Sequence, residues 1–398
     1  MNYNPKRCTP LSELEQRTTR LQELLKENNL NGAVILQNAD LFYFAGTTQR
    51  SHLFIPAEGK PILMVRKNFD RAKLESAIEN IIPMSNLKEL PEKLKTFGGT
   101  ELKRIGFELD VLPVNLYFSY QKLLAPMEIT DVSNLVRRVR AIKSPYEIEV
   151  LRDAARLNQI MFSHVKEYLR EGITEAEFAG KLEAVYRREG HQCFIRMRGF
   201  NLEIVYGHLM SGSNLAIPSF FDGPTGGSGL NPSFPQSAGL KVIARNEPVM
   251  VDYVGVYDGY MVDQARIFCI GHLPEKLVRA HNVALEIQDA IKEQAKPGVP
   301  CAKLYELAVN IADQYGLKDH FMGYPEPVAF IGHGVGIELD ELPVLAKGFN
   351  TPLENGMVFA LEPKFVFPEG AVGVENTFVV TPAGLQTLTE YDESIAYL

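Results

Sequence analysis

The sequence predicts an α+β protein with a smaller α/β domain over residues 1–140 and a larger domain over residues 141–398. A chain of 398 residues is longer than one compact core usually holds, so two domains are expected. A basic stretch that ends in Ser144-Pro145 marks the boundary, and the sequence after it contains two similar segments. We therefore expect the larger domain to consist of two duplicated α/β halves.

The composition is that of an ordinary globular protein, with 45% hydrophobic and 23% charged residues. The net charge of -8 argues against a nucleic-acid partner or an anionic membrane partner. No apolar run reaches the roughly 18 residues of a spanning helix. The four cysteines are scattered without CxxC spacing, which indicates neither a disulfide framework nor a thiolate zinc site. These features predict a cytoplasmic protein.

The first domain begins with a predicted helix, because apolar residues recur at helical spacing from Leu11 to about Leu25. Short apolar runs separated by Gly and Pro follow, as in a strand-rich α/β sheet. These runs are Ala33–Leu36, Leu41–Phe44, Leu53–Ile55 and Ile62–Val65. Helix and strand patterns then alternate up to about Leu124, and no catalytic constellation is visible in this part of the chain.

The second domain opens with a long amphipathic helix predicted from Tyr146 to about Arg170. Ser144 is a candidate N-cap, and Glu147 is placed to close a capping box. Gly172 and Gly298, which are 126 positions apart, end two similar segments, and each is followed by an amphipathic helix that stops at another glycine. This shared spacing favours duplication of one α/β unit, although two unrelated helix hairpins with similar turns are the alternative.

A ribbon from Asp252 to Asp263 is the centre of the second domain. Asp258-Gly259 is the dipeptide that a two-residue hairpin turn prefers, which places Val254 opposite Asp263. Because side chains alternate along a strand, Asp252 and Asp263 then lie on one face. Two buried carboxylates need positive charge nearby, and a bound cation would supply it.

Three later segments add further candidate ligands in apolar surroundings. They are His333 in Phe330-Ile-Gly-His-Gly, Glu362 after Phe359-Ala-Leu, and Glu375 after Gly373-Val. Four carboxylates and one imidazole suit two divalent metal ions of the Mn, Co, Fe or Zn type, which can activate water against a polarised carbonyl. Each residue also has a structural interpretation, such as a hairpin-end acid, a partner of Arg266, a strand-edge charge or a core histidine.

The order of these five residues resembles the metallopeptidase family of methionine aminopeptidase, aminopeptidase P and prolidase. Arg140–Ile148 resembles the start of the catalytic domain in its proline-specific branch, which includes creatinase. The resemblance implies a pita-bread fold after a creatinase/prolidase-type domain, and a homodimer. It implies metal ligands at Asp252, Asp263, His333, Glu362 and Glu375, with Glu362 also acting as a catalytic proton shuttle. The expected activity is hydrolysis of a C–N amide bond, as in an Xaa-Pro aminopeptidase or Xaa-Pro dipeptidase.

The sequence departs from this family pattern at several positions. Asp340 and Ser219 stand where the family has histidines that stabilise charge at the scissile carbonyl. Gly373 replaces an arginine, and Asn376 replaces a common aspartate. His208 could supply a catalytic imidazole instead, or it could be an ordinary polar loop residue.

Other candidates concern the substrate, which is expected to be a small peptide or a small amide. Asp340 could bind a cationic substrate group or pair with a nearby base, and Arg198 could clamp a substrate carboxylate. The loop over residues 221–239 lacks any periodic pattern, which indicates either a site-covering loop or disorder. A non-peptide amide hydrolase and a metal-binding pseudo-enzyme remain as alternatives, whereas a metal-free mechanism is disfavoured because all five ligand positions are present.

Overall fold

The computed structural model describes residues 7–99 and 101–398, which separate into two compact units. The first unit extends to Arg140 and includes Arg198–Asn201. The second contains Ala141–Met197 and Leu202–Leu398. The domain predicted over residues 1–140 also contains residues 1–6 and Thr100, which lie outside the described part of the chain. No helix in the described ranges is long and apolar enough to cross a membrane.

The first unit is a mixed sheet with helices. Its helices are α1 (Leu11–Glu27), α2 (Asn38–Ala45), α3 (Phe69–Glu75), α4 (Leu90–Gly98), α5 (Val114–Leu124) and α6 (Ser133–Ala141). Its strands are β1 (Gly32–Ile35), β2 (Ser51–Pro56), β3 (Ile62–Val65), β4 (Asn80–Pro83), β5 (Arg104–Phe107) and β6 (Glu128–Asp131). The strand order is β4-β3-β2-β1-β5-β6, with β1 antiparallel to β2 and parallel to β5.

The predicted strand at Leu41–Phe44 is wrong, because these residues belong to helix α2. The Gln37 side chain accepts a hydrogen bond from Asp40 N at the start of this helix. Gly46, with φ of 71°, ends it in the left-handed conformation. These caps stabilise a short helix whose apolar run alone cannot be distinguished from a buried strand.

The second unit contains the remaining elements. Its helices are α7 (Pro145–Ser163), α8 (Val165–Tyr168), α9 (Glu175–Arg188), α10 (Glu275–Gln294) and α11 (Cys301–Gln314). Its strands are β7 (Gly207–Ser211), β8 (Val249–Tyr257), β9 (Tyr260–Cys269), β10 (Phe330–Gly334), β11 (Glu341–Ala346), β12 (Val358–Leu361), β13 (Lys364–Phe367), β14 (Gly370–Gly373), β15 (Asn376–Thr381), β16 (Gly384–Thr387) and β17 (Ala396–Tyr397).

The strands of this unit form two main sheets and one separate hairpin. One sheet has the order β17-β9-β8-β7, and the other has the order β11-β10-β12-β15-β16. Strands β13 and β14 pair only with each other in the sheet assignment for the described residues. Helices α7 and α9 pack on the first sheet, whereas α10 and α11 belong to the apolar core that includes residues of the second.

The structure confirms the duplicated halves. Helices α9 and α11 each have 14 residues and begin three residues after Gly172 and Gly298. Both glycines have nearly the same φ, 90° and 92°. Gly172 N donates to Ile243 O at 2.9 Å, and Gly298 N donates to Leu353 O at 2.8 Å. Helices of equal length that begin 126 residues apart, each after a glycine with the same conformation, are what repetition of a single α/β unit produces.

Helix α7 begins at the predicted capping box but is shorter than expected. Glu147 N donates to Ser144 Oγ at 3.2 Å, and Ser144 N donates to Glu147 Oε2 at 3.0 Å. The helix ends at Ser163 rather than near Arg170, because His164 N donates to Met161 O in a tightened last turn. The short helix α8 then resumes at Val165.

Candidate metal centre and active site

The ribbon has the predicted register. Tyr257 pairs with Tyr260 and Val254 pairs with Asp263. Asp258 and Gly259 have φ values of 44° and 84°, as a two-residue hairpin turn with two positive φ angles requires. Asp252 and Asp263 both line the same cavity.

The other three candidate ligands come from the second sheet and its connections. His333 on β10 pairs with Ala360 on β12, and Glu362 directly follows β12. Glu375 forms an isolated bridge with Ala265, which brings it beside β9. His333, Glu362 and Glu375 line the cavity that Asp252 and Asp263 also line. All five residues named as ligands by the sequence are therefore brought together.

Three of these residues offer a complete position for one divalent cation. Asp263, His333 and Glu375 each present one donor atom, and these atoms lie within 4.8 Å of one another. Glu375 Oε1 is buried and has no hydrogen-bond partner in the described structure. A buried carboxylate oxygen without a partner is costly, and a cation would satisfy it. The residues present at this position therefore fit a metal ion.

A lysine that the sequence analysis did not identify lies among the other carboxylates. Lys364 Nζ donates to Asp252 Oδ2 at 2.7 Å, to Glu362 Oε2 at 2.8 Å and to Glu375 Oε2 at 2.7 Å. Its side chain is 2% exposed. The sequence contained only a weak signal: Lys364 is two residues after Glu362, but Pro363 separates the residue that follows β12 from the first residue of β13.

Burial and mutual charge shift the pKa values in the cluster. Burial raises the pKa of Asp263 to about 7, with the Asp252 charge adding to the shift. Burial and the Asp263 charge raise the pKa of Glu375 well above its usual range. For Lys364, burial lowers the pKa, but Asp252, Glu362 and Glu375 outweigh it and raise the pKa. The cluster thus holds more negative charge than its surroundings neutralise easily.

His333 is held against acidic groups on two sides. Its Nε2 lies 3.7 Å from Glu362 Oε1, and its Nδ1 lies 3.0 Å from Leu339 O. Burial lowers the pKa of His333, but the charges of Asp340 and Glu362 outweigh it and raise the pKa. The contact to a backbone carbonyl orients the ring, as is common for histidine ligands of metals.

His208 lies in the cavity wall. On β7 it pairs with Asp252 of β8, and its Nε2 is 3.2 Å from Gln236 Oε1. Burial lowers the pKa of His208, so the ring is neutral at pH 7. The structure therefore places an imidazole beside the ligand cluster, and its catalytic role stays a prediction.

The other residues predicted for substrate contacts are placed differently. Asp340 lines the cavity, with Oδ1 3.3 Å from His333 Nδ1. Arg198 belongs to the first unit, where it pairs with Asp40 at 2.7 Å and Asp110 at 2.6 Å. Ser219 donates to Pro235 O and is not among the described residues that line this cavity. The roles of Asp340 and Arg198 in substrate binding stay predictions.

The loop over residues 221–239 has a defined path. Phe221–Thr225 form part of the cavity wall, and the Phe221 ring lies 5.2 Å from the His208 ring. Ser228 N donates to Asn214 Oδ1 at 2.8 Å, which fixes the glycine-rich part of the loop. These contacts favour the site-covering interpretation over disorder.

Asn376, the residue after the candidate ligand Glu375, accepts a hydrogen bond from the buried Arg266. Arg266 donates to Asn376 Oδ1 and to Glu375 O, both at 2.8 Å. Further contacts of Arg266 go to the backbone oxygens of Ala265, Tyr391 and Asp392. Arg266 thereby supports the chain at Glu375, and Asn376 has a structural role at a position where the resemblance led us to expect an aspartate.

The duplicated fold and the cluster of cation ligands define a metal-dependent hydrolase of the pita-bread class. Comparison with known families agrees, because the profile of metallopeptidase family M24 matches residues 149–382. The profile of the creatinase/prolidase N-terminal domain matches residues 17–142. The chain therefore belongs to metallopeptidase family M24, in its branch with a creatinase/prolidase-type first domain.

Several relatives cover nearly the whole chain. An Xaa-Pro dipeptidase of Pyrococcus horikoshii is 26% identical over 385 residues, which are 96% of this chain and 99% of that protein. A peptidase of Bacillus subtilis, YqhT, is 27% identical over 384 residues, covering 95% and 99% of the two chains.

Solved structures give the same result. The prolidase from Pyrococcus horikoshii OT3 superposes with a TM-score of 0.79 at 26% identity, covering 96% of this chain and 99% of its own. An Xaa-Pro dipeptidase from Bacillus anthracis has a TM-score of 0.83 at 24% identity, covering 97% and 100%, and shows the shared fold. The predictions of family, fold class and metallopeptidase-type hydrolase are confirmed.

Proposed function

We propose that this protein is a metal-dependent hydrolase that cleaves the C–N amide bond of Xaa-Pro dipeptides. One observation carries the proposal: Asp252, Asp263, His333, Glu362 and Glu375 line one cavity in a chain of family M24. The full-length similarity to Xaa-Pro dipeptidases supports a dipeptide over a longer Xaa-Pro peptide. An Xaa-Pro aminopeptidase is the closely related alternative.

The family implies divalent metal ions, and we propose Mn, Co, Fe or Zn because the donors are carboxylates and an imidazole. A bound ion supplies Lewis acidity toward the carbonyl and lowers the pKa of water. Asp263, His333 and Glu375 would hold it. The sequence predicts two ions. Whether a second ion can bind depends on Lys364, whose side chain lies among the other carboxylates.

The surrounding residues have proposed roles that follow from their positions. Glu362 exposes a carboxylate to the cavity and would accept and return the proton of the attacking water. His208, neutral at pH 7, would hydrogen-bond the scissile carbonyl region in place of the absent family histidines. Asp340, whose side chain is 45% exposed, offers a carboxylate to a cationic substrate group. For Arg198, only the general affinity of guanidinium groups for carboxylates supports a substrate contact.

The proposal also includes a homodimer in the cytoplasm, with no nucleic-acid or membrane partner. The dimer rests on the family resemblance, and light scattering of the purified protein would test it. The cytoplasmic location is supported by four free cysteines, which suit a reducing compartment. The net charge of -8 supports the absence of a nucleic-acid partner.

The test is hydrolysis of Ala-Pro and Ala-Pro-Ala by protein reconstituted with Mn²⁺, Co²⁺ or Zn²⁺. We expect metal-dependent release from Ala-Pro, and we expect Glu362→Gln to lower kcat by at least about 100-fold, since general acid–base catalysis contributes that much. Glu369→Gln is the matched control. Glu369 lies in the β13–β14 turn, pairs with Lys276 of helix α10 and does not line the cavity.

The outcomes separate the candidate activities. Cleavage of the tripeptide alone would replace the dipeptidase by an aminopeptidase. Full activity in Glu362→Gln would remove the proton-transfer role of that residue. Metal uptake without cleavage of either peptide would contradict a proline-directed peptidase.

A small non-peptide amide is the second candidate substrate. It is favoured by Asp340 in the cavity wall and by Ser219 outside it, since neither position supplies an imidazole to a peptide carbonyl. A hydrolysis screen over cyclic and amidino compounds tests this candidate. A protein that binds metal but cleaves none of these compounds would be a pseudo-enzyme that uses its cavity for binding.

A further inference from the structure

We propose that the ammonium group of Lys364 takes the place of one of the two divalent cations expected at this site. The catalytic cavity then holds a single ion, bound by Asp263, His333 and Glu375. The inference rests on the proposed function only for the presence of a metal, and its test does not use hydrolysis.

The geometry around Lys364 is that of an occupied cation position. Three carboxylate oxygens, from Asp252, Glu362 and Glu375, converge on Nζ within 2.8 Å. An ammonium group has three N–H donors, so these three contacts use its full capacity. A metal ion drawn to the same three oxygens would have to displace a side chain that is 2% exposed. Two cations at such close range would also repel each other strongly in a buried site.

A glycine on the neighbouring strand lies opposite Lys364. Lys364 on β13 pairs directly with Gly373 on β14. A Cβ atom at position 373 would lie 2.4 Å from Pro363 O and 2.7 Å from Lys364 Cα, so the glycine lets the backbones of the two strands approach closely. The same Cβ atom would lie 2.8 Å from Lys364 Cγ. Position 373 is where the family resemblance expects an arginine. The chain thus supplies a cationic side chain from position 364 on β13 and none from position 373 on β14.

The lysine leaves one cation position complete. Glu375 directs Oε2 to Lys364, while Oε1 is buried without a partner. Lys364 contacts Asp252, Glu362 and Glu375. Asp263, His333 and the second oxygen of Glu375 remain as donors for one metal ion. Glu375 therefore bridges an ammonium group and a metal ion instead of two metal ions.

The charges of the four acids agree with this occupancy. When Asp252, Asp263, Glu362 and Glu375 are ionised, one divalent ion and one ammonium group leave a single negative charge in the cluster. Two divalent ions together with the lysine would leave a net positive charge in a buried site, which is unfavourable without further anions.

Metal counting tests the inference. Wild-type protein is saturated with Mn²⁺ or Zn²⁺, freed of unbound ion by gel filtration, and its metal content is measured by mass spectrometry. The electron paramagnetic resonance spectrum of the Mn²⁺ form is recorded as well. We expect one ion per chain and a spectrum of isolated Mn²⁺ in the wild type, and a second ion with exchange coupling in Lys364→Met. Two ions in the wild type, no ion, or one ion in Lys364→Met would overturn the proposal.

Two further variants act as controls. Lys364→Arg keeps a positive charge and should stay at one ion per chain. Lys143→Met removes another buried lysine, which is 1% exposed and pairs with Glu341 at 3.0 Å, and should leave the ion count at one. Circular dichroism reports whether each variant folds, and Lys364→Gln replaces Lys364→Met if the latter does not. One ion in Lys364→Gln would then overturn the proposal.

The same measurement distinguishes this inference from the proposed function. A wild-type protein with one ion that cleaves no peptide would leave the lysine inference standing and remove the peptidase. A wild-type protein that binds two ions and cleaves Ala-Pro would support the peptidase and overturn the lysine inference.

Discussion

At the residue scale, His191 makes the stability of the second unit depend on pH. Its ring is buried, with Nδ1 accepting from Cys193 N and Nε2 donating to Val254 O, both at 2.8 Å. Val254 pairs with Asp263 in the ribbon. Burial lowers the pKa of His191 to about 4, with the Arg187 charge contributing a further lowering. The native structure therefore holds the neutral ring.

We predict that the free energy of unfolding falls as the pH drops from about 6.5 toward 4. The unfolded chain takes up a proton at His191 in this range and the folded chain does not, so protonation favours unfolding. The shift corresponds to on the order of 3 kcal/mol at most. Denaturant titrations across this pH range should show a smaller slope for His191→Gln than for the wild type. The exposed His272→Gln variant should keep the wild-type slope, and an unchanged slope in His191→Gln would contradict the prediction.

The five candidate ligands were identified from the sequence and line one cavity in the structure, whereas Lys364 was missed. Acids among apolar strand residues are rare enough to attract notice, and their order matched a family. A single lysine at the start of a strand is normally a solvated charge, so its sequence position alone gives little indication of burial. The hydrogen bonds from Lys364 Nζ to Asp252, Glu362 and Glu375 show that its side chain enters the cluster.

At the element scale, helix α7 packs directly on strand β8. A Cβ atom at Gly255 would collide with Asn158 Oδ1 and Ala154 O. Asn158 also donates to Tyr253 O at 3.1 Å and accepts from Tyr186 OH at 2.9 Å. The absence of a side chain at position 255 allows this close approach of helix and strand.

We predict that Gly255→Ala lowers the free energy of unfolding by about 1–3 kcal/mol, because overpacking forces backbone shifts. Gly180→Ala is the matched control, since a Cβ at this position in helix α9 meets no atom within 4 Å. That variant should be stabilised by about 0.5–1 kcal/mol through helix propensity. Thermal denaturation of both variants measures the difference, and equal effects would refute the packing argument.

The type of an element could be predicted where its periodic pattern extended over many residues. The prediction failed where the pattern was short. The 17 residues of α1 follow the predicted helical spacing. The four-residue run Leu41–Phe44 carries no period long enough to separate helix from strand. The caps at Gln37 and Gly46 determined the outcome there, and the glycine could have been read as a helix stop.

At the scale of the whole molecule, a bound ion should stabilise the folded chain. We predict that the apparent free energy of unfolding rises by about 1.4 kcal/mol for each tenfold increase in free Mn²⁺ or Zn²⁺ above the dissociation constant. Removal of the metal with a chelator should lower the melting temperature. His333→Ala removes one donor and should shift this dependence to higher ion concentrations. A melting temperature independent of metal in the wild type would contradict the assignment of the site.

The duplicated α/β halves could be predicted from the sequence because a repeat with constant spacing is preserved in Gly172, Gly298 and the helices that follow them. The set of residues that line the cavity was harder to predict from the sequence. They depend on which side chains meet across strands far apart in the chain, such as Ala265 and Glu375.

The duplicated halves divide the donor set between them. Asp263 lies before Gly271, whereas His333 and Glu375 lie after it, so a chain cut at Gly271 would yield two pieces that each lack a complete set. The ion would then link the two pieces reversibly, and metal uptake by their mixture would show that the pieces had reassembled. Because the three donors come from both halves, neither half alone could hold the ion with the full set.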